Sequence, residues 1–330
     1  MPDSLPPTMR AIVMREPGTP DVREISDIER PDPRAHEVLI RVTAAGVNGP
    51  DLVQRRGHYP PPKGASPHLG LAVSGEVVAT GSDVTRWRSG DRVVALTNGG
   101  GDAEFVAVDA THCLTVPDGV DLIDAAGLPE TYFTVWSNVF HRHDIPAGGS
   151  FLVHGGAGGI GSTAVQLGHA FGLKVLTTVP DAAAADFVTG LGADRAINFR
   201  EEDFVEVVRE AGGADIVLDI IGGDYVARNI KACRPDARII QLAFNAGSKI
   251  EIDLMPVMLK RINYTGSTLR SRPDAFKAAV AAELQDKVWP LFADGKLRPV
   301  THQVLPLESA AEAHRLMESA AHTGKILLKP

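Results

Sequence analysis

The chain is 330 residues long and is poor in several features whose scarcity excludes whole classes of protein. It has two cysteines, Cys113 and Cys233, too few for a disulfide framework or a thiolate-rich zinc site. That count fits a reducing compartment, and cytoplasmic localisation is expected. There is no basic excess: Lys and Arg number 33 against 41 Asp and Glu, a net charge of -8 with no basic stripe. A nucleic-acid footprint is therefore not expected. No apolar run approaches the roughly 18–20 residues of a membrane span, so no membrane partner is expected either. The opening MPDSLPPTM has no apolar core segment and reads as a loose tail, not a signal peptide. Repeats are absent, and the one low-complexity tract is a short alanine run. What remains is an apolar fraction of 44%, enough for a full core.

The first third reads as β-rich. EVLIRVTAAGV (37–47), VSGEVVATG (73–81), DRVVAL (91–96) and AEFVAV (103–108) are short β-branched runs split by Gly, Asp and Pro. Such spacing predicts an antiparallel barrel or sandwich. LIDAAGLPETYFTVWSNVFHRH (122–143) turns helical, with a break at Pro129. From residue 150 strands and helices alternate: strands at 150–155, 174–179, 195–199, 215–221 and 237–244, helices at 159–172 and 182–192. That rhythm predicts a parallel, doubly wound sheet. A helix at 274–293 and a closing strand at 324–329 follow.

Residues 155–161 read GGAGGIG. Gly156, Gly158 and Gly161 form G-x-G-x-x-G directly after a strand, opening a helix, with Ala157, Gly159 and Ile160 between them. The first glycine permits the tight turn, the second lets backbone approach a pyrophosphate, and the third lets helix and strand pack closely. The free N–H groups of the helix N-terminus then face the phosphates. A dinucleotide cofactor is expected here.

The full layout resembles the medium-chain dehydrogenase/reductase superfamily, and within it the zinc-free, zeta-crystallin-like quinone oxidoreductases. The resemblance rests on AAGVNGPDLVQRRGHYPPP (44–62), GDRVVAL (90–96), HGGAGGIGSTAVQLG (154–168), DIIGG (219–223), TLRSR (268–272) and AAEAHRLMESAAHTGKILLK (310–329). TLRSR and PPPKGAS point to the stress-inducible quinone reductases in that branch. The implied fold class is α/β: a doubly wound parallel Rossmann sheet (125–268) plus a β-rich GroES-like catalytic domain (1–124 and 269–330). Zinc-dependent relatives carry a Cys after the G-V turn and a Gly-His-Glu near the G-E-V strand. Here Asn48 stands near the first position, and Leu71 and Ala72 replace His and Glu. Three or four ligands cannot be assembled, so no metal is expected.

The resemblance implies reduction of quinones with NADPH by a homodimer joined through its nucleotide-domain sheet edges. It assigns Asn48 and Tyr59 to the catalytic site, the amide beside the nicotinamide and the phenol against the quinone. Val53 stands where some relatives have a second tyrosine. Thr134 is implied to face the nicotinamide, although a threonine in a helix also bonds its own backbone. Phe244 and Asn245 follow a strand end, where loops reach the nicotinamide ribose, and Arg270 would close over the cofactor or draw in an electron-rich substrate. His58, His141 and His143 form no credible triad.

The cofactor's adenosine end is less simple. NADPH-using relatives hold the 2′-phosphate with a Lys after the second strand and a Tyr after the third. Here those positions hold Ala183 or Ala184 and Phe199. Asp181 lies about twenty residues past Gly161, where NAD enzymes place the acid that binds the ribose hydroxyls, and it can equally cap the alanine helix. Arg200 could still meet a phosphate. The expected cofactor is therefore NAD(P)H, with NADH used as well as NADPH. The expected substrate is a quinone. The alternatives are an enone, alkenal or enoyl double-bond reductase on the same fold, and a weakly catalytic NAD(P)H-binding redox sensor.

Overall fold

The computed structural model describes residues 5–141 and 145–330. The chain divides into two compact units: Met1–Phe133 together with Leu269–Pro330, and Thr134–Thr268.

The second unit is built on six parallel strands: Ser150–His154, Lys174–Val179, Arg195–Asn198, Ala214–Asp219, Cys233–Gln241 and Asn263–Gly266. Counted in chain order they lie 3-2-1-4-5-6 across the sheet, a doubly wound Rossmann arrangement whose direction of winding reverses between the first and fourth strands. Leu152, Leu176, Ile197, Val217 and Ile239 meet Phe204, Val208, Val226 and Ile230 of the covering helices in one core. Each such side chain contributes about 1.5–3 kcal/mol by leaving water. Helix Gly159–Ala170 buries eight consecutive residues, Gly161 to Gly168, and ends where Gly172 turns to a φ of +75°.

The first unit holds a seven-stranded sheet in the order Thr301–Pro306, Lys325–Lys329, Glu37–Gly46, Ala72–Thr80, Arg92–Leu96, Cys113–Thr115, with Phe105–Asp109 also pairing Glu37–Gly46. Glu37–Gly46 is buried on both faces: Val38, Ile40 and Val42 pack with Val73, Val77, Val93 and Val106, while Leu39 packs with Met9, Ala11 and Phe105. All pairs are antiparallel except Thr301–Pro306 with Lys325–Lys329, which is parallel. The barrel-or-sandwich expectation did not include that pair, whose strands come from the far end of the chain.

The helical stretch at 122–143 is two helices, Leu122–Ala125 and Pro129–Val135, the second continuing as a wider turn through Trp136–Phe140. Proline at the first helical position explains the restart. His143 lies outside the described residues. The stretch at 274–293 is likewise interrupted: Asp274–Glu283 passes into a wider turn, Leu284–Val288, before Pro290–Ala293.

Candidate functional site

The glycine loop lies at the carboxyl end of the first strand of the Rossmann sheet. Two of its glycines are required by the protein itself. A Cβ on Gly156 would stand 2.0 Å from Thr177 Oγ1, and one on Gly161 would stand 2.1 Å from the Gly155 carbonyl. Gly158 is different: a Cβ there would meet nothing nearer than 3.7 Å. Its φ of -75° suits any residue. Nothing in the fold demands glycine at 158, so the space above it is available to a bound group. Gly158 caps the helix without a side chain, so no side-chain cap meets the first-turn amides of Gly159, Ile160 and Gly161, an arrangement suited to a pyrophosphate.

Asp181, Phe199, Arg200, Phe244 and Asn245 follow neighbouring strands. Asp181 caps helix Ala182–Thr189, its Oδ1 accepting from Ala184 N–H at 2.9 Å. Of the two roles open to it, the cap is the one the structure displays. Phe199 is 43% exposed just past strand Arg195–Asn198, its N–H bonded to the Val179 carbonyl at 3.1 Å. Arg200 is exposed next to it, and its guanidinium has no partner among the described residues. Phe244 and Asn245 follow the fifth strand. Ala246 N–H donates to the Ile221 carbonyl at 2.7 Å, tying their loop to the one after Asp219. Thr134 is buried in helix Pro129–Val135, and its carbonyl accepts from Asn138 Nδ2 at 2.8 Å.

Beneath the loop runs a buried polar chain that sequence reasoning missed. Asn229 Nδ2 donates to Asp219 Oδ2 at 2.9 Å, which turns Asn229 Oδ1 toward His154 Nε2, 2.7 Å away. His154 therefore carries its proton on Nε2 and accepts on Nδ1 from the Thr178 hydroxyl at 3.1 Å. Thr178 Oγ1 in turn accepts from Gly155 N–H, and Asp219 Oδ1 accepts from Ile221 and Gly222 N–H. One chain thus fixes the start of the phosphate loop and the loop after the fourth strand. Burial pushes the His154 pKa down, with the Asp219 charge and the Asn229 hydrogen bond opposing it.

The first unit gathers a second polar group. Asn48 is buried immediately before helix Gly49–Arg55. Its N–H donates to Asp51 Oδ2 at 2.9 Å and its Nδ2 to the Gly46 carbonyl at 2.6 Å, while its Oδ1 accepts from Lys325 Nζ. Asp51 also accepts from Gly70 N–H at 3.2 Å; burial raises its pKa, and these backbone donors oppose that. Tyr59 is half-buried with the Arg270 guanidinium 5.6 Å from its ring centroid, a cation–π contact. Arg270 belongs to this unit and is itself buried. Nε and Nη2 donate to the Asn98 carbonyl and Nη1 donates to Gln54 Oε1 at 2.6 Å. Burial raises the Tyr59 pKa and the Arg270 charge opposes it, so the phenol stays protonated at neutral pH.

The residues present do not fit a zinc ion. Leu71 and Ala72 are buried and apolar, and Asn48 turns its oxygen to a lysine ammonium. Among the described residues no group of three or more His, Cys, Asp or Glu could hold a metal.

Comparison with known proteins agrees across the whole chain. Residues 34–118 match the alcohol dehydrogenase GroES-like domain, and residues 191–328 match the zinc-binding dehydrogenase family. The human quinone oxidoreductase is 33% identical over 328 residues, 97% of each chain. The structure of the Escherichia coli quinone oxidoreductase complexed with NADPH superposes with a TM-score of 0.87 at 28% identity, covering 97% of this chain and 100% of that one. The CurK enoyl reductase gives a TM-score of 0.85 at 27% identity over 97% and 99%. With both units, the glycine cradle and full-length likeness in agreement, the chain belongs to the quinone oxidoreductases of the medium-chain dehydrogenase/reductase superfamily.

Proposed function

We propose that this protein reduces quinones with a nicotinamide cofactor, NADPH or NADH. The observation that carries this reading is the open space above Gly158, at a helix start that no side chain caps, in a chain that matches quinone oxidoreductases from end to end. The cofactor, when bound, supplies the hydride. The amides of Gly159, Ile160 and Gly161 hold the pyrophosphate. Phe244 and Asn245 border the nicotinamide ribose, and Thr134 faces the ring. Asn48 donates its remaining Nδ2 hydrogen to the acceptor's carbonyl. Tyr59 stacks on the acceptor and donates its hydroxyl proton, which the raised pKa keeps in place. Arg270 holds Tyr59 and lends positive charge where the reduced acceptor becomes anionic.

At the adenosine end, Phe199 and the alanines of 182–185 offer no cation for a 2′-phosphate and Arg200 is the exposed one next to them, which supports use of NADH beside NADPH. The likeness to the CurK enoyl reductase supports a second reading, reduction of an enone or enoyl double bond beside a polarised carbonyl. Oxidation of NADPH and NADH against a panel of quinones, enones and enoyl thioesters separates the readings. Tight cofactor binding with no turnover of any acceptor would favour a redox sensor.

A homodimer is supported by the outer edge of the Rossmann sheet. Among the described residues strand Asn263–Gly266 pairs on one side only, and Leu254, Met255, Met258 and Leu259, just before it in the chain, stand 55–66% exposed. Light scattering of wild type and Leu259→Glu tests this. No helix among the described residues is long and apolar enough to cross a membrane. Cys113 and Cys233 are free and buried, which supports a reducing cytoplasm.

A further inference from the structure

Lys325 opens strand Lys325–Lys329 and is only 6% exposed. A buried ammonium is costly unless its protons and charge are met. One proton goes to the Val47 carbonyl at 2.8 Å and another to Asn48 Oδ1. Asp51, on helix Gly49–Arg55, and Glu130, on helix Pro129–Val135, supply opposing charge. The fold has also left room for the stem: a Cβ on Gly127 would stand 3.1 Å from Lys325 Cγ and 3.2 Å from its Cβ. The strand itself is pinned, with Lys325 N–H on the Val300 carbonyl at 2.8 Å and Val47 N–H on the Ile326 carbonyl at 3.0 Å.

The consequence falls on Asn48. An amide has two orientations of nearly equal shape, and here one is excluded. A flip would set the Asn48 NH2 against the ammonium, donor against donor, and its oxygen against the Gly46 carbonyl, acceptor against acceptor. In the orientation present, one Nδ2 hydrogen is taken by Gly46 and the other is left. A cation on Oδ1 also polarises the amide and strengthens that remaining N–H as a donor.

We propose that Lys325 is a positioning residue for the acceptor: its ammonium fixes and polarises the Asn48 amide so that a single N–H is presented to the substrate oxygen. The inference rests on the reductase reading of Asn48. A lysine that merely anchors a strand would act on stability and leave Asn48 out of account, and a double-mutant cycle distinguishes the two.

Steady-state kinetics with one quinone, on wild type, Lys325→Met, Lys325→Gln, Asn48→Ala and the double variants, provide the test. Lys325→Met is expected to lower kcat on the order of tenfold to a hundredfold. KM for NADPH should change by less than about threefold, the size of a rim effect. Lys325→Gln, which keeps a donor but not the charge, should fall between. In the Asn48→Ala background the same changes should have little further effect, because the amide to be oriented is gone. Equal losses in both backgrounds would overturn the proposal. If Lys325→Met does not fold, Lys325→Gln carries the cycle. A second readout needs no turnover: the side-chain amide resonances of Asn48, assigned by their loss in Asn48→Ala, should shift in Lys325→Met, and unchanged resonances would count against the proposal. A wild type inactive with every acceptor sinks the reductase reading and this inference together; an active wild type whose Lys325 variants keep full kcat sinks this inference alone.

Discussion

His154 Nε2 and Asn229 Oδ1 lie 2.7 Å apart in the interior of the Rossmann unit, and neither ring nor amide reaches solvent. Asn229→Leu would leave the His154 N–H and Asp219 Oδ2 buried without partners. At about 1–3 kcal/mol for each unsatisfied group, the unit should lose roughly 2–6 kcal/mol. Calorimetry should show its transition at a lower temperature, and NADPH binding should weaken because Gly155 hangs from the same chain. The pH dependence has a definite sign. Burial holds the folded His154 pKa below its unfolded value, near 6.5, so the unfolded state takes up protons first as pH falls. Stability should therefore drop on acidification below about 6.5, and less steeply in His154→Gln.

Gly158→Ala and Gly161→Ala should separate binding from folding. The first adds a methyl without a clash and should cost the unit no more than about 1 kcal/mol, the preference of a helix cap for glycine over alanine, while weakening NADPH binding at least about tenfold. The second drives a methyl to 2.1 Å from the Gly155 carbonyl and should destabilise the unit itself. Titration calorimetry beside thermal melts checks both.

Cofactor choice should be shallow. Hydrogen bonds to charged groups contribute about 1.5–3 kcal/mol each. Loss of a lysine and a tyrosine hydroxyl removes at most roughly twice that, reduced by solvent at an open site. NADH and NADPH should then have kcat/KM values within about tenfold of each other. Arg200→Ala should move the ratio further toward NADH. A preference for NADPH of about a hundredfold or more would refute this.

Tyr59→Phe should reduce quinone turnover several-fold while leaving the NADPH dissociation constant unchanged, since the phenol belongs to the unit without the glycine cradle. Full turnover in the variant would make Tyr59 a packing residue.

Asp102 is buried with Oδ1 unpartnered, and its carboxyl is pushed up to about 8, chiefly by burial and then by the Asp51 charge, with Arg23 opposing. A folded pKa above the unfolded value, near 3.9, means the folded state keeps a proton that the unfolded state releases. This residue's contribution to stability therefore falls as pH rises from about 4 to about 8 and then levels off. Asp102→Asn should remove that loss. Its advantage over wild type in urea unfolding should grow from pH 5 to pH 8 and no further.

The parts of the fold legible in the sequence were those encoded locally. The glycine spacing after SFLVHG, the β-branched runs and the Pro129 restart each have a short-range physical cause. Helices Phe204–Glu210 and Tyr225–Ala232 went unread because each is only two turns long and is held by tertiary packing of Phe204, Val208, Val226 and Ile230. Lys325 was passed over for a related reason. A lysine at the start of GKILLK looks like the solvated end of a strand, and nothing local says that its partners stand 277 and 278 residues away. His154 and Asn229, 75 residues apart, left no joint signal either. Asp181 was legible as a residue but not as a role: cap and ribose ligand demand the same aspartate.

The pairing of Lys325–Lys329 with Glu37–Gly46 has a consequence for biosynthesis. The strand that closes the first unit's sheet leaves the ribosome after everything in Thr134–Thr268, which is contiguous and emerges earlier. The Rossmann unit can therefore finish folding while the other half still waits, with Val47, Leu52 and Ile12 lacking the Ile326 and Leu328 that cover them. Asn48 acquires its ammonium partner only after the whole of Thr134–Thr268 has been made.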